Sequence, residues 1–119
     1  MAHILVVDDD SSVLSLLTRV LADHKVTALQ DGQDAVRLAR TGVPIDLLMT
    51  DYLMPTMTGP EVIGWVREVR PGLPAIIVSS HGDLLDRENT DWWRRETHVS
   101  KPFSVETIRS AIRAACVES

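Results

Sequence analysis

Leu47-Leu48-Met49-Thr50-Asp51-Tyr52-Leu53-Met54-Pro55 is the stretch on which the reading of the chain turns. An apolar run ends on a carboxylate, and the proline four residues on keeps the run from continuing as a strand. Asp51 is therefore predicted at the exposed carboxyl end of a strand. Open α/β sheets hold their ligands at that edge. Taken alone, an Asp after a strand is more often a turn former than a reactive group. The balance shifts because three other strand-like runs each close on a residue that chemistry at Asp51 would use.

Upstream, His3-Ile4-Leu5-Val6-Val7 is β-branched and bounded by Asp8-Asp9-Asp10, which predicts a buried central strand. Val13, Leu16, Leu17, Val20 and Leu21 then recur at helical spacing, with Asp10 or Ser11 as the cap. Lys25–Leu29 reads as a weaker strand, and Gln30-Asp31-Gly32 as a turn into a helix that turns Ala35, Val36 and Ala39 inward and stops near Gly42. Downstream, Gly59-Pro60 opens a helix carrying Val62, Ile63, Val66 and Val69, and Pro71-Gly72 ends it. Ala75–Val78 predicts a fourth strand closing on Ser79-Ser80. The span from Asp83 to Glu96 reads as an irregular fourth helix that includes Trp92 and Trp93. His98-Val99-Ser100 predicts a short fifth strand before Lys101-Pro102, and Ser104 caps a last helix carrying Val105, Ile108, Ile112 and Ala115. Five strands alternating with five helices predict one parallel sheet covered on both faces, joined by right-handed crossovers.

The length of 119 residues fits one domain, spanning 1–119. With 45% apolar and 24% charged residues the balance is that of a globular chain rather than a disordered one. No apolar run approaches the ~20 residues that cross a bilayer, and the start lacks a signal-peptide layout, so a cytoplasmic protein without a membrane partner is expected. A single cysteine, Cys116, excludes an internal disulfide, and its place late in an apolar pattern predicts simple packing. The net charge of −5 without a basic block argues against direct nucleic-acid binding. His3 and His24 lack metal-ligand spacing and are expected on the surface.

The strand ends converge on one edge: Asp8 and Asp9 from the first, Asp51 from the third, Ser79 from the fourth, Lys101 from the fifth. Three carboxylates about 5 Å apart repel by roughly 3 kcal/mol per pair at an effective dielectric near 20, and Lys101 offsets only part of that. A hard divalent cation with oxygen ligands fits the remainder. Mg²⁺ typically takes one or two carboxylates, several waters and a phosphoryl oxygen. The chemistry implied is attack by a carboxylate on phosphorus, with the charge balanced by metal and lysine.

The succession Val7-Asp8-Asp9, Asp51 with Met54-Pro55 and Gly59, Ser79-Ser80 and Lys101-Pro102-Phe103 resembles the receiver domain of bacterial two-component response regulators (CheY-like) over essentially the whole chain. The resemblance implies a flavodoxin-like, doubly wound α/β fold of strand order 2-1-3-4-5. It implies that Asp51 accepts a phosphoryl group from a phosphohistidine on a sensor histidine kinase or a histidine phosphotransfer protein. Asp8 and Asp9, with Asp51 and the backbone carbonyl of Leu53, would bind Mg²⁺, and Lys101 would pair with Asp51 and then with a phosphoryl oxygen. Ser79 is the switch hydroxyl, and His98 stands where the family has Tyr or Phe. It implies an attached or separate effector, allows a homodimer through the fourth helix, fifth strand and fifth helix, and predicts no enzyme beyond self-directed phosphorylation and dephosphorylation. Asp8-x-Asp10, Ser79 and a downstream lysine also resemble haloacid-dehalogenase phosphatases, with Asp8 as nucleophile, but that alternative leaves Asp51 and Met54-Pro55 unexplained.

Overall fold

The structure, a computed structural model, describes residues 2–80 and 96–117. Five parallel strands lie in the order β2-β1-β3-β4-β5: β1 (His3–Val7), β2 (Lys25–Leu29), β3 (Leu47–Asp51), β4 (Ala75–Ser79) and β5 (Thr97–Ser100). Four helices are described: α1 (Ser11–Val20), α2 (Gly32–Ala39), α3 (Gly59–Val69) and α4 (Val105–Val117), the last being the predicted fifth. The predicted fourth helix, Trp92 and Trp93, and with them part of the implied dimer surface, lie outside the described residues.

Alternation along the central strands divides the core in two. Leu5, Val7, Leu48 and Ile77 face α2 and α3, meeting Ala35, Val36, Val62, Ile63 and Val66. Ile4, Val6, Leu47, Met49, Ile76 and Val78 face the other way, onto Leu14 and Leu17 of α1 and Ile108, Ala111 and Ala115 of α4. Strands apolar on both sides are what a parallel sheet with two helical layers requires. Each fully buried Leu, Ile or Val contributes about 1.5–3 kcal/mol.

Caps set where the helices begin. Asp10 accepts from the Ser12 N–H and Asp31 from the Gln33 N–H, each as an N-cap. α3 has a full capping box: Thr58 Oγ1 accepts from Glu61 N, and the Glu61 carboxylate accepts from Thr58 N. At its far end Arg70 reaches across to the carbonyls of Ala39 and Val43, satisfying the last turn of α2 and the loop behind it. Near the other ends of these helices, Gly32 packs so closely on Val62 that a Cβ would meet Val62 Cγ2 at 2.5 Å. Arg67 donates to the Leu73 carbonyl and, as a fork, to both Glu96 carboxylate oxygens, fastening the approach to β5 onto α3.

Several expectations need correction. Leu16 is 40% exposed, because the inward stripe of α1 runs through Leu14 and Leu17 to Leu21, and Leu16 sits about 200° around the helix from Leu14. Val69 and Val105, the last residue of α3 and the first of α4, are also exposed. Cys116 is exposed one step past the buried Ala115, so it is not a packing residue. His3 is buried rather than superficial, its Nδ1 being 2.6 Å from the Pro44 carbonyl and its Nε2 2.7 Å from Thr27 Oγ1. A carbonyl only accepts, so Nδ1 carries the proton. His24 is half-buried, its Nδ1 accepting from the Ala2 N–H at 3.1 Å.

Candidate phosphoacceptor site

Sheet register brings the chemistry together. Val7 pairs with Thr50 and Asp51 with Val78, so Asp8 follows β1 directly beside Asp51, and Ser79 lies one residue beyond it on the neighbouring strand. Ser79 pairs with Ser100, and the Lys101 N–H donates to the Ser79 carbonyl at 2.7 Å, which sets Lys101 at the same edge. The peptide bond between Lys101 and Pro102 is cis. The residues gather at the crevice between β1 and β3, where the strand order reverses.

Asp8, Asp9 and Asp51 each offer an oxygen, and these all lie within 4.8 Å of one another. Lys101 Nζ bridges two of them, 3.2 Å from Asp8 Oδ2 and 3.3 Å from Asp51 Oδ1. The pairing with Asp8 was not foreseen from sequence, which offered only Asp51 as the partner. The remaining hydrogen bonds distinguish the two acids. Asp8 Oδ1 accepts from the Asp10 N–H at 2.9 Å, so both its oxygens are engaged. Asp51 accepts from the Tyr52 N–H at 2.9 Å through the same Oδ1 that meets Lys101. Its Oδ2 accepts from no described residue.

Burial tunes the charges. Asp51 is 7% exposed, more recessed than the exposed strand end expected of it, and its carboxyl is pushed up to about 6. Desolvation is the main cause and the neighbouring Asp8 charge the next, while Lys101 and the Tyr52 N–H pull the other way. Desolvation likewise raises the Asp8 carboxyl against the Asp10 N–H and Lys101. For Lys101, burial works downward, but the charges of Asp51 and Asp8 outweigh it and the ammonium is held above its ordinary range. Among the described residues one cation, Lys101, faces three acids, a deficit that a single divalent ion would cancel.

Ser79 is fully buried, and its Oγ has no hydrogen-bond partner among the described residues. A native buried hydroxyl without a partner is uncommon and calls for a reason. Asp9 is exposed, Leu53 is exposed in the loop after β3, where it bridges Thr58, and His98 is half-buried on β5. Asp10, the second acid of the phosphatase alternative, serves as the cap of α1. The Thr58-Gly59-Pro60-Glu61 box was legible as a Thr-x-x-Glu signature and was missed.

The family model of the response regulator receiver domain matches residues 4–113. Among curated relatives, the transcriptional regulatory protein GlrR of Escherichia coli is 29% identical over 99% of this chain and 27% of its own length. The probable transcriptional regulatory protein TcrX of Mycobacterium tuberculosis is 30% identical over 93% of this chain and 48% of its own. The chain thus spans from about a quarter to a half of such relatives. Among solved structures, the response regulator protein TrrA of Thermotoga maritima, in complex with Mg²⁺ and BeF, superposes with a TM-score of 0.83 at 25% identity, covering 97% of this chain and 99% of that one. The phosphatase alternative gains no support from these likenesses.

Proposed function

The chain belongs to the response regulator receiver domain family of two-component systems, and from that premise we propose that Asp51 is its phosphoacceptor, within a receiver domain spanning residues 1–119. The observation that carries the assignment is the division of labour among carboxylate oxygens. Both oxygens of Asp8 are tied to donors, whereas Asp51 Oδ2 has no donor among the described residues and Oδ1 is held against Lys101 and the Tyr52 N–H. A phosphohistidine on a histidine kinase or phosphotransfer protein supplies the group. Asp51 Oδ2 bonds to phosphorus as the phosphorus–nitrogen bond to the imidazole breaks and its electron pair returns to the ring nitrogen. Lys101, already between Asp8 and Asp51, donates to a phosphoryl oxygen as charge builds there.

Asp8, Asp9, Asp51 and the Leu53 carbonyl are the groups that would hold Mg²⁺, and the hard-oxygen donor set with its charge deficit fits that ion. When bound, it supplies neutralisation of negative charge on the transferring group. The Mg²⁺ complex of TrrA supports the same reading. Ser79 Oγ, buried without a partner among the described residues at the strand end adjoining Asp51, is the hydroxyl suited to bond a phosphoryl oxygen. His98, on the strand next to Ser79, takes the place of the responding aromatic. The catalysis is self-directed, with no free substrate proposed, and the output passes to an attached or separate effector. No helix among the described residues is long and apolar enough to cross a membrane.

Incubation with labelled acetyl phosphate and Mg²⁺ tests this. Wild-type protein should acquire base-labile label that is lost in Asp51→Asn. Label that survives Asp51→Asn and disappears only in Asp8→Asn would overturn the assignment.

A further inference from the structure

We propose that Gly59 is a positioning residue for the acceptor: the first turn of α3 closes directly onto the backbone of Asp51, and the missing side chain at 59 sets how the Asp51 carboxylate is presented. The inference rests on Asp51 being the phosphoacceptor.

A Cβ at position 59 would lie 2.5 Å from the Asp51 carbonyl oxygen, 3.3 Å from its carbonyl carbon and 3.3 Å from Thr50 Cγ2. The nearest atoms are main chain of a central strand paired on both sides, to β1 and β4, so they cannot swing aside as a side-chain tip can. Backbone conformation does not explain the glycine. Positive φ among the described glycines occurs only at Gly42 and Gly72, and Gly59 is an ordinary helical residue. The demand is for space.

That space matters because of which peptide unit borders it. The Asp51 carbonyl and the Tyr52 N–H belong to one planar group, and this N–H is shared between Asp51 Oδ1 and the Val78 carbonyl of β4, each at 2.9 Å. The Thr50 hydroxyl donates to the same carbonyl at 3.1 Å, and the Gly59 N–H donates to the Tyr52 carbonyl at 2.7 Å. Restoring ordinary contact at 3.4 Å would move the carbonyl by about 0.9 Å. Tilting the peptide by that amount carries the Tyr52 N–H off the carboxylate it orients, and it shifts the base of the loop bearing Leu53.

Two other glycines serve as controls. Gly32 is as crowded as Gly59, but by side chains, Val62 Cγ2 at 2.5 Å and Met57 Sδ at 3.3 Å, and not by the backbone of Asp51. Gly64, on the exposed side of α3, faces open space. The test compares Gly59→Ala, Gly32→Ala and Gly64→Ala by rate of labelling from acetyl phosphate, Mg²⁺ affinity by calorimetry, urea stability and the Tyr52 amide resonance in ¹H–¹⁵N spectra. Gly59→Ala should label about 10- to 100-fold more slowly, bind Mg²⁺ more weakly and move the Tyr52 resonance, as misplacement of a reacting group by about 1 Å does. Gly32→Ala should lose stability yet label at the wild-type rate, and Gly64→Ala should label normally. Equal labelling by Gly59→Ala and wild type overturns the inference, as does equal slowing in Gly32→Ala. If Gly59→Ala does not fold, Thr50→Val removes the hydroxyl from the same carbonyl, and an unchanged rate and Tyr52 resonance there overturn it instead. A wild-type chain that takes no label overturns the acceptor assignment itself, and this inference with it.

Discussion

Replacing Asp51 by its neutral isostere should make the metal-free protein more stable. Raising the Asp51 carboxyl from its ordinary 3.8 to about 6 means that the folded state disfavours its ionised form by about 3 kcal/mol, at about 1.36 kcal/mol per pH unit. The pH dependence follows from the direction. A carboxyl elevated by folding contributes its stability below the unfolded value near 4, and that contribution is lost as pH rises through about 6. Asp51→Asn removes the titration, so it should match wild type near pH 4 and exceed it by up to about 3 kcal/mol at pH 7.5, or about 10 °C in Tm for a domain of this size. Asp8, raised in the same direction, is coupled to Asp51 by charge and by the shared lysine, so the difference reports relief of the pair and not of Asp51 alone. Urea unfolding in EDTA, followed by far-UV circular dichroism at pH 4.5, 6 and 7.5, measures this. Added Mg²⁺ should then favour wild type, by about 2.7 kcal/mol at a hundredfold excess over its dissociation constant. An Asp51→Asn protein no more stable than wild type at pH 7.5, or equally stabilised at pH 4.5, would refute the account of a strained, desolvated acid cluster.

Three further outcomes are expected. Lys101→Ala leaves Asp8 and Asp51 without their shared cation, which should cost the metal-free protein about 3 kcal/mol at neutral pH in urea unfolding and less at pH 4, well below the value of about 6 at which the Asp51 carboxyl gives up its proton. Thr58→Ala removes half of the α3 capping box and should lower unfolding free energy by about 1 kcal/mol at all these pH values. Arg67→Ala strips a largely buried Glu96 of its guanidinium partner; a loss of about 3 kcal/mol, partly recovered when Glu96→Gln is added, is the double-mutant signature of that pair.

The fold was legible because the strands are β-branched or aliphatic runs, and each of them except β2 stops on or just before a residue found at the site. Asp51, Asp8, Lys101 and Ser79 could be named from those stops alone, and the register then sets them side by side. Errors came where a local pattern was blind to distant partners. His3 looked superficial because its hydrogen bonds reach Thr27 and Pro44, and nothing in the neighbouring residues signals them. The phase of α1 was misjudged because Leu16 and Leu17 fit the same spacing, and only packing on Ile4 and Val6 distinguishes them. The second pairing of Lys101, to Asp8, depends on side-chain reach across two strand ends and leaves no trace in spacing.

Arg70 has a mechanical consequence. With its guanidinium anchored on the carbonyls of Ala39 and Val43, and Gly32 seated on Val62, α2 and α3 are latched near both extremities. Such a pair behaves as a single stiff plate, since packed interfaces of this kind deform poorly. A push arising at the carboxyl end of β3 would therefore meet little give on that flank of the sheet.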